Sequence, residues 1–182
     1  MILDGAVGQR VAFADYQTEF DRRFWTIDET GFWKLERRQE FREPGHDSWE
    51  AFDRGDWDES LRLLERSRDA MRDFYRDVAD AGFAMHRVRV VEEPLIPYVE
   101  WEMHALRLRD ECGDSTRVVT AAQVAHLEPL PELVVLGDVV MYEVIIGADK
   151  TTEYAVRHTD RDLIRRARRL IQDLHEVGRP LT

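Results

Sequence analysis

Hydrophobic positions recur along this chain at two spacings, and the switches between them mark out its elements. Phe13, Tyr16, Phe20 and Phe24 return every three or four residues, as on one side of a short helix over residues 13–23, which Thr26 to Gly31 then breaks. Residues 32–41 mix aromatic and charged side chains in a way that fits either a strand or a helix, and Arg42 to Asp47 form a turn. Ser48 can cap a short helix that stops at Gly55. Asp56 or Asp58 can cap a long one, along which Trp57, Leu61, Leu64, Arg68, Met71, Tyr75, Val78 and Ala81 form a single face before Gly82.

The period then changes to two. Residues 83–92 alternate as an extended segment, and helical spacing resumes over 95–112 with Tyr98, Trp101, Ala105 and Leu108 on one side before Gly113. Thr116 to Thr120 reads as a second strand. Leu133 to Ile146 is a hairpin turning at Gly137-Asp138, a further strand covers Thr151 to Thr159, and Asp160 caps a last helix that ends at Gly178. This order predicts an α/β fold bordering on α+β: a mixed β-sheet flanked by helices, αβαβ followed by a βββα ending. Its sheet is parallel at residues 83–92 and 115–120 and antiparallel later. Residues 1–45 read as an N-terminal extension packed on an α/β domain spanning 46–182.

Charge narrows the classes of function. The 182 residues carry 26 basic and 37 acidic side chains, a formal net charge of -11. That balance disfavours broad electrostatic binding to nucleic acid or to an anionic membrane. Arg161, Arg165, Arg166, Arg168 and Arg169 form the one notable basic run; they wrap around the last helix as a solvated face does, and contact with an acidic partner or nucleic acid is the alternative. The single cysteine, Cys112, permits no intramolecular disulfide, and its carboxylate neighbours oppose a reactive thiolate. The six histidines show no His-x-His or His-Glu-x-x-His spacing, so neither a metal nor a cofactor is expected. With no basic leader at the start and no apolar run near the ~20 residues of a membrane span, a soluble cytoplasmic protein is expected.

The chemistry of the chain concentrates between residues 86 and 102. Arg87 and Arg89 fall on one face of their strand, and two adjacent guanidiniums require anions. Glu92, Glu93, Glu100 and Glu102 can neutralise them internally. Alternatively, the pair holds the phosphate or carboxylate of a ligand in a partly open cleft, with Tyr98 and Trp101 as flat walls and the helix N-terminus near Pro97 as a second donor set. The candidate ligand-binding residues are Arg87, Arg89, Glu93, Tyr98, Trp101 and Glu102; no catalytic residue is assigned. His86 falls on the opposite strand face, and His158, Asp160 and Asp162 mark a strand end where capping is the ordinary role.

Trp33-Lys34-Leu35-Glu36, Arg87-Val88-Arg89-Val90-Val91, Pro94, Pro97-Tyr98, Trp101-Glu102, Asp138 in its hairpin and Pro180 together resemble an actinobacterial family of unknown function, over about residues 20–180. The resemblance implies genes beside helix-turn-helix regulators and small partner proteins, and no reaction. The order of elements also resembles one half of a phospholipase D-like domain, whose signature is a His, a Lys two residues on and a later Asp. Here His158 is followed by Asp160 at the lysine position and His86 by Val88, which implies a catalytically silent, ligand-sensing version. The expected function is a non-enzymatic regulatory or interaction module that binds a small anionic ligand or a partner regulator. The alternative is a hydrolase or transferase acting on a phosphorylated or carboxylated substrate, with His158 or His86 as acid/base and the arginines as clamp. Direct nucleic-acid binding is disfavoured by the charge and by the lack of a helix-turn-helix pattern.

Overall fold

Apolar β-formers spread along the chain converge on one sheet. The structure, a computed structural model, describes residues 2–181. Along the chain, β1 (Gln9–Ala12), α1 (Phe13–Phe24) and β2 (Phe32–Glu36) precede three helices, α2 (Asp47–Asp53), α3 (Trp57–Arg66) and α4 (Arg68–Asp80). Next come β3 (Met85–Val91), α5 (Pro97–Cys112), β4 (Ser115–Thr120), the one-turn α6 (Ala121–Val124) and β5 (Leu133–Leu136). The chain ends with β6 (Val140–Ile146), β7 (Thr152–His158), α7 (Arg161–Val177) and β8 (Arg179–Pro180).

The eight strands lie in the order β1-β7-β6-β5-β2-β3-β4-β8. Pairing is parallel from β2 through β3 to β4 and antiparallel elsewhere. The α/β class with a mixed sheet is therefore present, including the parallel pair at β3 and β4 and the antiparallel β5-β6-β7 ending. Residues 32–41, ambiguous by pattern, provide β2, which is hydrogen-bonded between β5 and β3 in the middle of the sheet.

Two local expectations are corrected. The long helix over 57–81 is two helices, because Ser67 interrupts it: the Ser67 hydroxyl donates to the Leu64 carbonyl at 2.6 Å, the local back-bonding that competes with a helix ladder. The cap of α2 is His46, whose Nδ1 accepts from the Trp49 N–H at 3.2 Å. Ser48 is instead buried and exchanges hydrogen bonds with Ser60 of α3, its own hydroxyl donating to the Ser60 carbonyl at 2.9 Å and that of Ser60 to the Ser48 carbonyl at 2.7 Å. Asp56 and Asp160 cap α3 and α7 as expected.

Helices cover both sheet faces unequally. On one side α7 lays Leu163, Ile164, Ala167, Ile171 and Leu174 over Leu35, Val88, Val90, Leu133 and Val135. The arginines of α7 other than Arg168 point to water, as its amphipathic period requires. On the other side α1 and α4 bring Phe24, Tyr75 and Val78 to Phe32, Met85, Val134 and Tyr142. Beyond them α2 and α5 bring Trp49, Val99, Trp101 and Leu106 to Val91 and Val118. Because α5 is enclosed on nearly all sides, its buried residues run around the helix instead of along one stripe. Gly113 ends α5 at φ 134°, and a Cβ there would lie 2.7 Å from Tyr75 Cβ, so glycine permits α4 to approach so closely.

Candidate functional site

The two apolar clusters on the α1–α5 side do not meet. Between them the sheet presents a charged row, set by register: Lys34 lies beside Arg87 and Glu36 beside Arg89 across the parallel β2–β3 pair, all four on the same face. Arg87 Nη1 donates to Glu36 at 2.7 Å and its Nε to Asp114 at 3.3 Å, while Lys34 pairs with the other Glu36 oxygen. Arg89 Nε donates to Glu102 of α5 at 2.6 Å and its Nη1 to the Val90 carbonyl at 3.0 Å. Both arginines are buried, Arg87 at 7% exposure and Arg89 at 0%, and Arg89 Nη2 has no hydrogen-bond partner among the described residues.

These environments separate the carboxyls. Burial opposes ionisation of Glu36, but Arg87, Lys34 and Arg89 outweigh it and hold this carboxyl well below its usual range. For Glu102 burial prevails over Arg89, and Glu36 and Glu43 add to it, pushing the group up to about 7. Glu132, just before β5, is raised to about 6 by burial, although the Arg38 and Arg37 backbone N–H groups pull the other way. Burial, then Glu102 and Glu43, raises the Tyr98 phenol, which donates to Glu43 at 2.6 Å.

Above the charged row lies a cavity of about 530 Å³, within the size range of small-molecule sites. Its floor includes Lys34, Glu36 and Arg87; α5 contributes Tyr98, Trp101, Glu102 and Ala105, and α1 contributes Tyr16, Phe20 and Phe24. Glu43, Glu132 and Lys150 also line it. Rings and aliphatic walls thus surround an ionic floor, an arrangement that can hold a flat apolar body and orient one charged or hydrogen-bonding group.

Of the residues singled out from sequence, Arg87, Tyr98, Trp101 and Glu102 meet at this cavity. Arg89 lies beneath it, behind Glu102. Glu93 is exposed in the β3–α5 connection and makes no contact with the arginines; Glu92 pairs with Arg37 instead, at 2.8 Å. His86 and His158 lie on the opposite sheet face. His86 stacks on Trp33 with ring centroids 4.0 Å apart, and burial, helped by His175, lowers its pKa to about 4. His158 is buried at the end of β7, and burial lowers its pKa as well. Among the described residues, no three His, Cys, Asp or Glu side chains are grouped so as to hold a metal ion, and no helix is long and apolar enough to cross a membrane.

Sequence reasoning placed Lys34 and Glu36 only in the family motif and not at the site, and it missed Asp114 and Glu132. Lys34 and Glu36 alternate with Trp33 and Leu35 as Arg87 and Arg89 do with Val88 and Val90. Reading both segments as neighbouring buried strands would have paired the charges; Asp114 and Glu132 carried no such signal.

Over residues 18–182 the chain matches the family described as a domain of unknown function, DUF6879. No curated protein matches it.

Proposed function

Since the chain belongs to DUF6879, a family of domains of unknown function, its role has to be read from its geometry, and we propose that it is a non-enzymatic small-molecule-binding module of regulatory type. The ligand occupies the cavity between α1, α5 and the β2–β3 floor. The observation that carries this reading is the cavity itself, about 530 Å³ placed where two apolar clusters fail to close over a row of buried charges. A cleft that leaves apolar walls uncovered forgoes burial that packing would supply, and buried ion pairs are rarely a net source of stability, so keeping both at one place favours a binding role over a packing one. A ligand ordering α1 against α5 would alter the surface shown to a partner regulator, the output proposed here. The enzymatic alternative lacks support from position, because His86 and His158 face α7, on the other side of the sheet from Arg87.

A cavity-filling variant tests the reading. Ala105→Trp projects a ring into the cavity, and thermal-shift screening against aromatic amines, aromatic acids and nucleosides compares it with the wild type. Hits on the wild type that vanish in Ala105→Trp, with cooperative unfolding kept, support the proposal. Hits that persist in the filled variant place binding elsewhere and overturn it.

A further inference from the structure

Arginines on the helices of this acidic chain are mostly paired within their own helix surface, and α7 departs from that rule. Of the five arginines of α3 and α4, four are joined to a carboxylate three residues earlier: Arg62 to Glu59, Arg68 to Glu65, Arg72 to Asp69 and Arg76 to Asp73. Such mixing of signs is how an exposed helix face is ordinarily solvated. The first nine residues of α7 instead hold five arginines and one carboxylate, Asp162. Arg165 pairs with Asp162, and Arg168 with Asp138 of the β5–β6 turn. Arg161, Arg166 and Arg169 are exposed and form no ion pair among the described residues. Asp160 is close enough to feel Arg166 and Arg165, but its Oδ1 is engaged by the two N–H groups that it caps.

We propose that the outer face of α7 is a docking surface for an acidic segment of a partner protein, with Arg161, Arg165 and Arg169 as its recognition row. Steps of four residues place these three side chains on one stripe of the helix, about 6 Å apart along its axis. Carboxylates at alternate positions of an extended segment recur every ~6.6–6.8 Å, close enough to this spacing for one-to-one pairing. The row stands against local helix energetics. Arg161 lies in the first turn, where the helix dipole opposes a cation, and like charges four residues apart repel. A face built only for solvation relieves both effects with interspersed carboxylates, as α3 and α4 do. Beside the row, the turn held by Arg168 presents Val139, 50% exposed, as an apolar contact for the same segment. The charge balance selects protein over nucleic acid: the row is only about 12 Å long, and a chain with a net charge of -11 repels an extended polyanion more than a short acidic segment. This surface lies across the sheet from the cavity and does not depend on what the cavity holds.

Fluorescence anisotropy on the full chain provides the test, with a short labelled peptide of alternating Glu and Ser, its counterpart with Gln in place of Glu, and a short labelled DNA duplex. The expected result is binding of the Glu peptide alone, weakening severalfold between about 50 and 200 mM salt. Arg161→Gln, Arg165→Gln and Arg169→Gln combined should weaken it about tenfold or more, since each exposed ion pair contributes a factor of up to about five. Removing charges that oppose the helix should leave the thermal midpoint unchanged or higher, so lost binding in this variant reports the surface and not unfolding. Arg165→Gln with Arg169→Gln is the second variant should the first fold poorly. Equal binding of the Gln peptide, Glu-peptide binding unchanged in the variants, or no binding at millimolar peptide overturns the proposal. Tighter binding of the duplex, lost in the same variants, also overturns it and assigns the face to nucleic acid.

Discussion

Arg89 is the side chain on which the charged floor depends most, because it is fully enclosed and is the ion-pair partner of Glu102, opposing the burial that nonetheless raises this carboxyl to about 7. Replacing it by Met leaves Glu102 in the interior without a counter-charge, and breaking one side of a buried pair typically costs about 3–5 kcal/mol. Arg89→Met should lower unfolding stability by that order in urea titrations, and adding Glu102→Leu should recover much of the loss. Recovery failing altogether would mean that Arg89 acts through packing and not through its pair. The same site sets a pH dependence. Glu102 ionises near its ordinary 4.5 in the unfolded chain and at about 7 in the fold, so its contribution favours the folded state below 4.5 and is lost as pH rises toward 7. Glu36, held below its ordinary value, acts in the opposite direction and destabilises the fold as pH falls under 4.5. Glu102→Gln should therefore flatten the stability profile between about pH 4.5 and 7 while leaving acid unfolding in place, as denaturant midpoints measured across that range will show.

At the scale of elements, the helices differ in what keeps them in place. α7 carries a one-sided apolar stripe and a strong cap, with Asp160 accepting from the Asp162 and Leu163 N–H groups at 2.9 Å each. Asp160→Ala should cost about 1 kcal/mol, the usual loss for such a cap, read from the denaturant midpoint. Leu64 of α3 is 6% exposed, and α3 lies against α2 and α5. Leu64→Ala should accordingly cost about 2–5 kcal/mol, depending on how far the site collapses. The break at Ser67 explains why a single stripe from Trp57 to Ala81 described the two helices incompletely: α3 serves the α2–α5 group, whereas α4 sends Tyr75 and Val78 to the aromatic cluster of α1.

For the whole molecule the decisive feature is the place of β2. A chain beginning at residue 46 would lack the strand that joins β5 to β3 and would expose two new sheet edges in the middle of the fold. Such a fragment should show no cooperative thermal transition by circular dichroism; a native-like transition would mean that residues 46–182 fold alone. The two faces of the sheet are equally consequential for function: His158→Ala, on the α7 side, should leave ligand binding per folded molecule unchanged, as calorimetry can establish. Much of this organisation was legible in the sequence, because it rests on local rules. Period-two and period-four patterns located most strands and helices, turn chemistry placed the Gly137 hairpin, capping chemistry placed Asp56 and Asp160, and alternation set Arg87 and Arg89 on one face. Arg87, Tyr98, Trp101 and Glu102 were identified for the same reason, since one strand and the helix after it carry them all. What only the tertiary structure decided was which distant segments became neighbours. Strand pairing brought Lys34 and Glu36 beside the arginines, while Asp114 and Glu132 came from connections that local patterning leaves silent. The charges around the cavity come from all these segments together, and no window along the chain contains them.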